Sequence, residues 1–324
     1  MENDMKKIAV LTSGGDTPVM NAAIFGVVRA AHNKGMQVMG VVRGYAGLIE
    51  GELTELLPEQ VEYISDKGGT ILKSARCLEM LTDEGRSKAV QTLKDFDIEG
   101  LIVIGGDGSF RGAQVLTNLG VPAIGIPGTI DNDIAFTDYT LGFFTAINTA
   151  AQEISKIRTT MLSHDRICVV EVMGRHCGDM TLYAGIASEA DFILIPEVKF
   201  DLDDICREIE ERFARGREVS IIAMAEGAGN AEEIADYIRE KTGRDLKHVV
   251  LGYTQRGGEP TVFDRVLAMQ MSARAIELME QGIGGRVVGI HENKIVDEEI
   301  NTALAMPLKF DYALYEQYCA MMNY

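Results

Sequence analysis

The chain has 324 residues, 46% of them hydrophobic, with 49 acidic against 31 basic side chains and a formal net charge of -18. That length carries two domains or one large one around a real core. So acidic a surface disfavours nonspecific contact with nucleic acid or acidic membranes, and an anionic ligand needs local clusters of Arg or Lys. Taken in chain order, short apolar strands alternate with helical patterns. "KIAVLT" (7–12) reads as a strand, followed by a glycine turn and a helix near 20–34, and "QVMGVV" (37–42) reads as the next strand. "GLIVIGGDGS" (100–109) gives a strand and a turn with a helix to 118, and "VPAIGI" (121–126) follows. Phe143, Phe144, Ile147, Ala150, Ala151, Ile154 and Ile157 form one helical face over 143–158. Strands "CVVEV" (168–172), "FILIP" (192–196), "VSIIAMAE" (219–226), "HVVLG" (248–252) and "RVVGI" (286–290) then alternate with helices near 177–189, 202–214, 231–242 and 261–281.

This pattern predicts an α/β protein with mostly parallel sheets covered by helices, in two domains divided near residue 140. The five cysteines (Cys77, Cys168, Cys177, Cys206 and Cys319) are odd in number and lack C-x-x-C spacing. They point to a reducing compartment and no structural zinc. The N-terminal apolar run is too short for a signal peptide, and no run approaches a membrane span. A soluble, cytoplasmic protein with no nucleic-acid or membrane partner is expected.

In open α/β sheets, ligands bind beyond the carboxyl ends of strands. "TSGGDTP" (12–18) and "GGDGS" (105–109) lie at such ends, where glycine lets backbone approach a phosphate and a helix start favours anions. Asp107 would repel phosphate unless a cation lay between them, so it is a candidate Mg²⁺ contact; a tight strand–helix turn is the alternative. No Walker A loop is present. Arg76, Arg166, Arg175 and Arg256 fall beside glycines or at strand ends, and Arg suits planar recognition of phosphate. Glu226 is a candidate for sugar hydroxyls or a solvated loop acid. In "PGTIDND" (127–133), an extended backbone would aim Asp131 and Asp133 into one space, whereas Gly, Asn and Asp equally favour a turn. Together these parts fit phosphoryl transfer, which needs placed phosphates, Mg²⁺, cations and a carboxylate at the attacking hydroxyl. Asp131 would accept the hydroxyl proton, and Asp133 would sit near the metal or hold its partner's geometry.

"LTSGGD", "MNAAI", "VIGGDGS", "PGTIDND", "VVEVMGR", "CGD" and "QRGG" run colinearly over nearly the whole chain, which resembles the bacterial ATP-dependent 6-phosphofructokinase family. The resemblance implies two Rossmann-like three-layer domains, residues 1–140 plus 255–305 for ATP and 141–254 plus 306–324 for the sugar phosphate, with the active site in the cleft between them. It implies transfer of the ATP γ-phosphate to the 1-hydroxyl of fructose 6-phosphate with Mg²⁺. Gly15, Arg76, Cys77, Gly106, Asp107, Gly108 and Ser109 would line the ATP site, with Asp107 serving the metal. Asp131 would be the base, with Thr129 and Arg175 at the transferring phosphoryl group and Asp133 nearby. Ile130, Met173, Gly174, Glu226, Tyr253 and Arg256 would hold the sugar phosphate, and Arg166 and Lys247 would reach across from a neighbouring subunit of a homotetramer. Pyrophosphate-using relatives tend to carry an acid in place of Gly108 and a lysine in place of Gly128, so both glycines favour ATP.

The chain departs from the family pattern in the sugar pocket, where Lys247 replaces an arginine and Tyr253 a histidine. Lysine lacks the guanidinium fork and tyrosine is never cationic near neutrality. Weaker fructose 6-phosphate binding, or preference for tagatose 6-phosphate or sedoheptulose 7-phosphate, is one consequence; a regulatory paralogue is a further alternative. At the implied effector site, Arg29, Arg158, Arg215 and Arg217 are retained, whereas Phe25 and Lys67 replace arginines and Asp191 a glutamate. Blunted or altered allostery is expected.

Overall fold

The computed structural model describes residues 7–322, so the start of the segment read above as lacking a signal peptide lies outside the described residues. The chain opens with β1 (Lys7–Thr12), α1 (Met20–Asn33), β2 (Gln37–Val41), α2 (Gly44–Glu50), β3 (Leu53–Glu55), α3 (Asp83–Asp95), β4 (Gly100–Gly105), α4 (Asp107–Asn118) and β5 (Ala123–Pro127). It continues with α5 (Phe143–Leu162), β6 (Ile167–Val172), α6 (Asp179–Ala187), β7 (Phe192–Leu194), α7 (Leu202–Ala214), β8 (Ser220–Ala225), α8 (Ala231–Thr242) and β9 (Leu246–Val250). It closes with α9 (Val262–Glu280), β10 (Arg286–His291), β11 (Lys294–Glu299), α10 (Ile300–Ala305) and α11 (Tyr312–Met322).

Two compact units result. Among the described residues, the first comprises 7–130, 134–145 and 256–308, and the second 131–133, 146–255 and 309–322. The three residues Asp131–Asp133 therefore group with the second unit, which a single cut near 140 does not anticipate.

The first unit holds a seven-stranded sheet in the order β11-β10-β5-β4-β1-β2-β3. Its interior pairs are parallel, and only the edge strands β3 and β11 run antiparallel to their neighbours. Successive residues of a strand face opposite sides, and β1 shows the result. Ile8 and Val10 join a core with α1 and α9, while Ala9 and Leu11 join a separate core with α2, α3 and α4. Burying Ile8, Val10 or Leu11 contributes about 1.5–3 kcal/mol each, and Ala9 less. The chain leaves β1 for β2 on one side and later returns to β4 on the other, so the carboxyl ends of β1 and β4 form the switch point.

The second unit holds a four-stranded, wholly parallel sheet in the order β7-β8-β6-β9. Ile167 and Val169 of β6 pack with α7 and α8 on one face, and α6 lies against β7 and β8. Strand β9 starts two residues earlier than its apolar run suggests. It is an edge strand with only Leu246 fully buried, so hydrophobicity marks its end rather than its body. Among the described residues, no helix is long and apolar enough to cross a membrane.

Candidate active site

Helices α7, α8 and α9 begin on Asp201, Asn230 and Thr261, each of which accepts a backbone N–H of its own first turn. Helices α4 and α6 begin on Gly106 and Gly178 and have no side-chain cap. An uncapped start leaves N–H donors for an anion. The α4 start lies at the switch point of the first unit, beside the turn after β1: Ser13 N donates to Ile104 O at 2.9 Å. No atom lies within 4 Å of a Cβ placed on Gly108, so this position faces open space. Asp107 sits in the first turn. Ser109 is buried, with Oγ tucked near Gly105 and Gly14, so it supports the turns from below instead of lining an open surface.

The segment 70–77 is tied to this turn. Thr12 Oγ1 donates to Lys73 O at 2.8 Å, and Ser74 Oγ donates to Gly14 O at 2.6 Å. Arg76, exposed, and Cys77, half-buried, follow directly. Arg256 lies here as well: its guanidinium stands 3.2 Å from a Cβ placed on Gly15, so a side chain at 15 would displace it. A guanidinium thus stands beside the β1 turn. Thr129 stands near Gly106, with its Cβ 3.7 Å from the Cβ position there. Ile130 is 2% exposed, so any substrate contact at that position falls to the backbone; its side chain belongs to the core.

In the second unit, Asp131–Asp133 is not extended. Asn132 is left-handed (φ 53°), so the same-side argument for Asp131 and Asp133 fails and the turn alternative holds. Asp133 Oδ2 accepts from Arg175 Nη1 at 3.3 Å, and Asn132 Nδ2 donates to Asp179 Oδ2 at 3.1 Å. Burial pushes the Asp179 carboxyl above its ordinary range, against the opposing hydrogen bond from Asn132.

The turn after β6 carries Met173, Gly174 and Arg175, and three side chains hold its N–H groups. Gln255 Oε1 accepts from Met173 N at 3.0 Å, Glu226 Oε1 from Gly174 N and Arg175 N, and Glu197 Oε1 from Gly178 N at 2.8 Å. Arg175 itself is left-handed (φ 58°), a conformation a non-glycine residue keeps only when its surroundings impose it. Glu226 therefore acts on the turn with one oxygen. Gln255, fully buried, has no reading in the sequence beyond its place in "QRGG", because its partner is 82 residues away.

Arg166 and Lys247 occupy the opposite end of this sheet. Both pair with Asp245: Arg166 Nε with Oδ2, and Lys247 Nζ with Oδ1 at 2.9 Å. The two cations, Lys247 first, hold the Asp245 carboxyl below its usual range. Arg166 precedes β6 and Met173 follows it, so the strand separates them by about 20 Å at ~3.3 Å per residue. Tyr253 is 80% exposed, in the turn after β9.

The expected effector residues differ in availability. Arg29, Lys67, Arg215 and Arg217 are exposed. Arg158 is half-buried, with Nη2 lacking a hydrogen-bond partner. Asp191 is buried and taken up by Arg212 Nη1 at 3.1 Å, Arg217 Nη2 at 3.5 Å and Ile221 N at 2.8 Å. Phe25 packs against the core around α1.

A sequence profile described as Phosphofructokinase matches residues 7–279. The chain is 55% identical to the ATP-dependent 6-phosphofructokinase of Clostridioides difficile and 52% identical to that of Clostridium botulinum, each over 96% of this chain and 98% of the relative. It also resembles a solved phosphofructokinase from Saccharomyces cerevisiae, with 35% identity and a TM-score of 0.87. That match covers 92% of this chain but only 45% of the yeast chain, so this chain spans about half the length of that relative. On the profile match and these identities, the chain belongs to the phosphofructokinase family.

Proposed function

We propose that this protein is an ATP-dependent 6-phosphofructokinase that transfers the γ-phosphate of ATP to the 1-hydroxyl of fructose 6-phosphate. Two fixed constellations, one within each unit, carry the proposal. One is an uncapped helix start with open space at Gly108. The other is a carboxylate loop braced by Arg175 and Asp179. The near-full-length identity to relatives named for this activity supports it.

In this reading the α4 N–H groups, Arg76 and the glycines at 15, 106 and 108 position the nucleotide phosphates. Among the described residues, no cluster of three or more His, Cys, Asp or Glu side chains is built to hold a metal. A single carboxylate, Asp107, suits Mg²⁺ that arrives on the phosphates and keeps most of its water, instead of an all-protein cage. Bound beside Asp107, Mg²⁺ would neutralise charge on the nucleotide phosphates. Asp131 removes the proton from the sugar 1-hydroxyl as its oxygen bonds to the γ-phosphorus. The bond from that phosphorus to the bridging oxygen breaks, and ADP leaves. Arg175 and Thr129 stabilise the moving phosphoryl group, with Asp133 holding Arg175 in place. Met173, Gly174, Glu226 and Tyr253 orient the sugar, and Arg256 supports the phosphate-binding turn at Gly15.

We further propose that Arg166 and Lys247 bind the sugar 6-phosphate of a neighbouring subunit in a homotetramer. Their position at the far end of β6 from Met173 supports this, because one chain cannot bring both ends of a strand to one ligand. Blunted response to phosphorylated effectors is also proposed, supported by Asp191 already being engaged by two guanidinium groups.

Tyr253 favours a second reading, in which another phosphosugar such as tagatose 6-phosphate or sedoheptulose 7-phosphate is preferred. Purified protein assayed against these three acceptors, each with MgATP and with magnesium pyrophosphate, tests both readings. Highest kcat/KM with ATP and fructose 6-phosphate is expected. Faster turnover with pyrophosphate, or with another acceptor, overturns the assignment of that substrate.

A further inference from the structure

Within the second unit, the loop carrying Asp131 is gripped at its next two residues by one turn, 173–179. Arg175 reaches Asp133, and Asp179 accepts the side-chain amide of Asn132. Asn132 is left-handed at φ 53°, and the flanking Asp131 and Asp133 take their directions from that reversal. Asn enters this region more readily than most residues, but it still requires surroundings that select it.

We infer that Asp179 is a positioning residue for phosphoryl transfer: by holding the Asn132 amide it fixes the left-handed bend that aims the Asp131 carboxylate. The inference rests on Asp131 being the base, as proposed above.

Asp179 is suited to the task by its setting. It is the first residue of α6, and the preceding Gly178 is closely packed. A Cβ there would clash with Glu197 Oε2 and stand 2.7 Å from Ile195 Cβ, while Gly178 N donates to Glu197 Oε1. The Cys177 thiol, pushed up to about 12 chiefly by burial and also by the adjacent Asp179, stays neutral and adds its own hydrogen bond to the Asp179 carboxyl beside that of Asn132. A carboxylate on a rigid element, bonded to a side chain adjacent to a reacting group, is how a supporting shell sets geometry. Misplacing a reacting group by about 1 Å can cost roughly 100-fold in rate.

The competing explanation is that Asp179 merely stabilises the α6 N-terminus, as acids in a first helical turn do. The two differ in what a substitution changes. Asp179→Asn removes the charge but keeps an acceptor oxygen for Asn132; Asp179→Ala removes both. The test is steady-state kinetics of the full-length enzyme with MgATP and fructose 6-phosphate, with thermal midpoints measured alongside. Asp179→Ala is expected to lower kcat by about 10- to 100-fold with little change in the KM for ATP, and Asp179→Asn to restore most of kcat. Asn132→Gly, which tolerates positive φ but lacks the amide, is expected to match Asp179→Ala. The double variant should be no slower than either single one, as for residues acting through one contact. Undiminished kcat in Asp179→Ala, equal loss in the Asn and Ala variants, or additive losses in the double variant overturns the inference. Should Asp179→Ala not fold, Asn132→Gly decides: normal kcat overturns the idea and reduced kcat supports it. Asp131→Asn separates this inference from the reading it rests on. If that variant is slow while Asp179→Ala and Asn132→Gly are not, only the positioning role fails; if it is fast, the base assignment fails.

Discussion

Arg166 meets Asp245 at the amino-terminal end of β6, where Lys247 binds the other oxygen of the same carboxylate. A strand's length away, the Met173–Arg175 turn faces the other end of the sheet. If both ends serve one sugar phosphate, they belong to different subunits. Subunits carrying Arg166→Ala and Lys247→Ala, refolded together with Asp131→Asn subunits, should then regain activity that neither parent has. Random pairing across an isologous interface gives roughly a quarter of the sites both an intact base and an intact phosphate pair. A mixture no more active than the sum of its parents would place the two functions in one chain.

Gly108 and Gly128 are glycines for different reasons. A Cβ at 108 meets nothing within 4 Å, whereas one at 128 would stand 2.9 Å from Ile104 Cγ2 and 3.4 Å from Gly105 N. Gly108→Asp should therefore fold with an unchanged Tm and lose kcat/KM for ATP by about 10-fold or more, since one unit charge at 4 Å and intermediate dielectric is worth several kcal/mol. Gly128→Lys should lower Tm as well, because strands β4 and β5 must part. Equal Tm losses in the two variants would contradict this reading of the loop.

Tyr253 presents a neutral ring at the turn after β9, 80% exposed. Tyr253→His restores a group that becomes cationic below its ordinary pKa of about 6.5. The KM for fructose 6-phosphate should fall, and fall further as the assay pH is lowered toward 6, while the KM for ATP stays put. An unchanged sugar KM at every pH would remove Tyr253 from the acceptor site.

Asp179 makes stability depend on pH in a particular direction. Burial raises its carboxyl pKa in the folded state, against the Asn132 hydrogen bond. The folded protein therefore holds this proton more tightly than the unfolded chain does. The contribution is fully present below the unfolded value of about 3.9 and is lost as pH rises through the raised folded value. Urea midpoints compared from pH 4 upward should show the wild type losing stability relative to Asp179→Asn. Parallel curves would mean that burial does not raise the Asp179 carboxyl above its unfolded value.

The alternation of strands and helices was legible because their apolar residues recur at the periods of buried elements, as in β1, β4 and α5. Elements stabilised in other ways were not. Strand β11, "KIVDEE", is an edge strand whose Asp297 is held by Arg274 and Arg286, an ion-pair arrangement without an apolar signature. Helix α3 buries only Gly85, Ala89 and Leu93 and is marked chiefly by its Thr82 cap. The site divides in the same way. Asp107, Asp131 and Arg175 stand in motifs whose chemistry can be read locally. Gln255, Glu197 and Asp179 act through partners 82, 19 and 47 residues distant, which no local pattern reveals. Asp264 is a further case: wholly buried, it accepts from Gly142 N, Thr145 N and Thr145 Oγ1, and it ties α9 to the start of α5.

The most direct test of the account is the kcat of Asp131→Asn with saturating MgATP and fructose 6-phosphate. The substitution preserves size and removes the proposed proton acceptor. A general base of this kind contributes about 10²- to 10⁴-fold, so kcat should fall by that factor while both substrates still bind. A variant that turns over at close to the wild-type rate would show that the carboxylate at 131 is not the group that takes the proton.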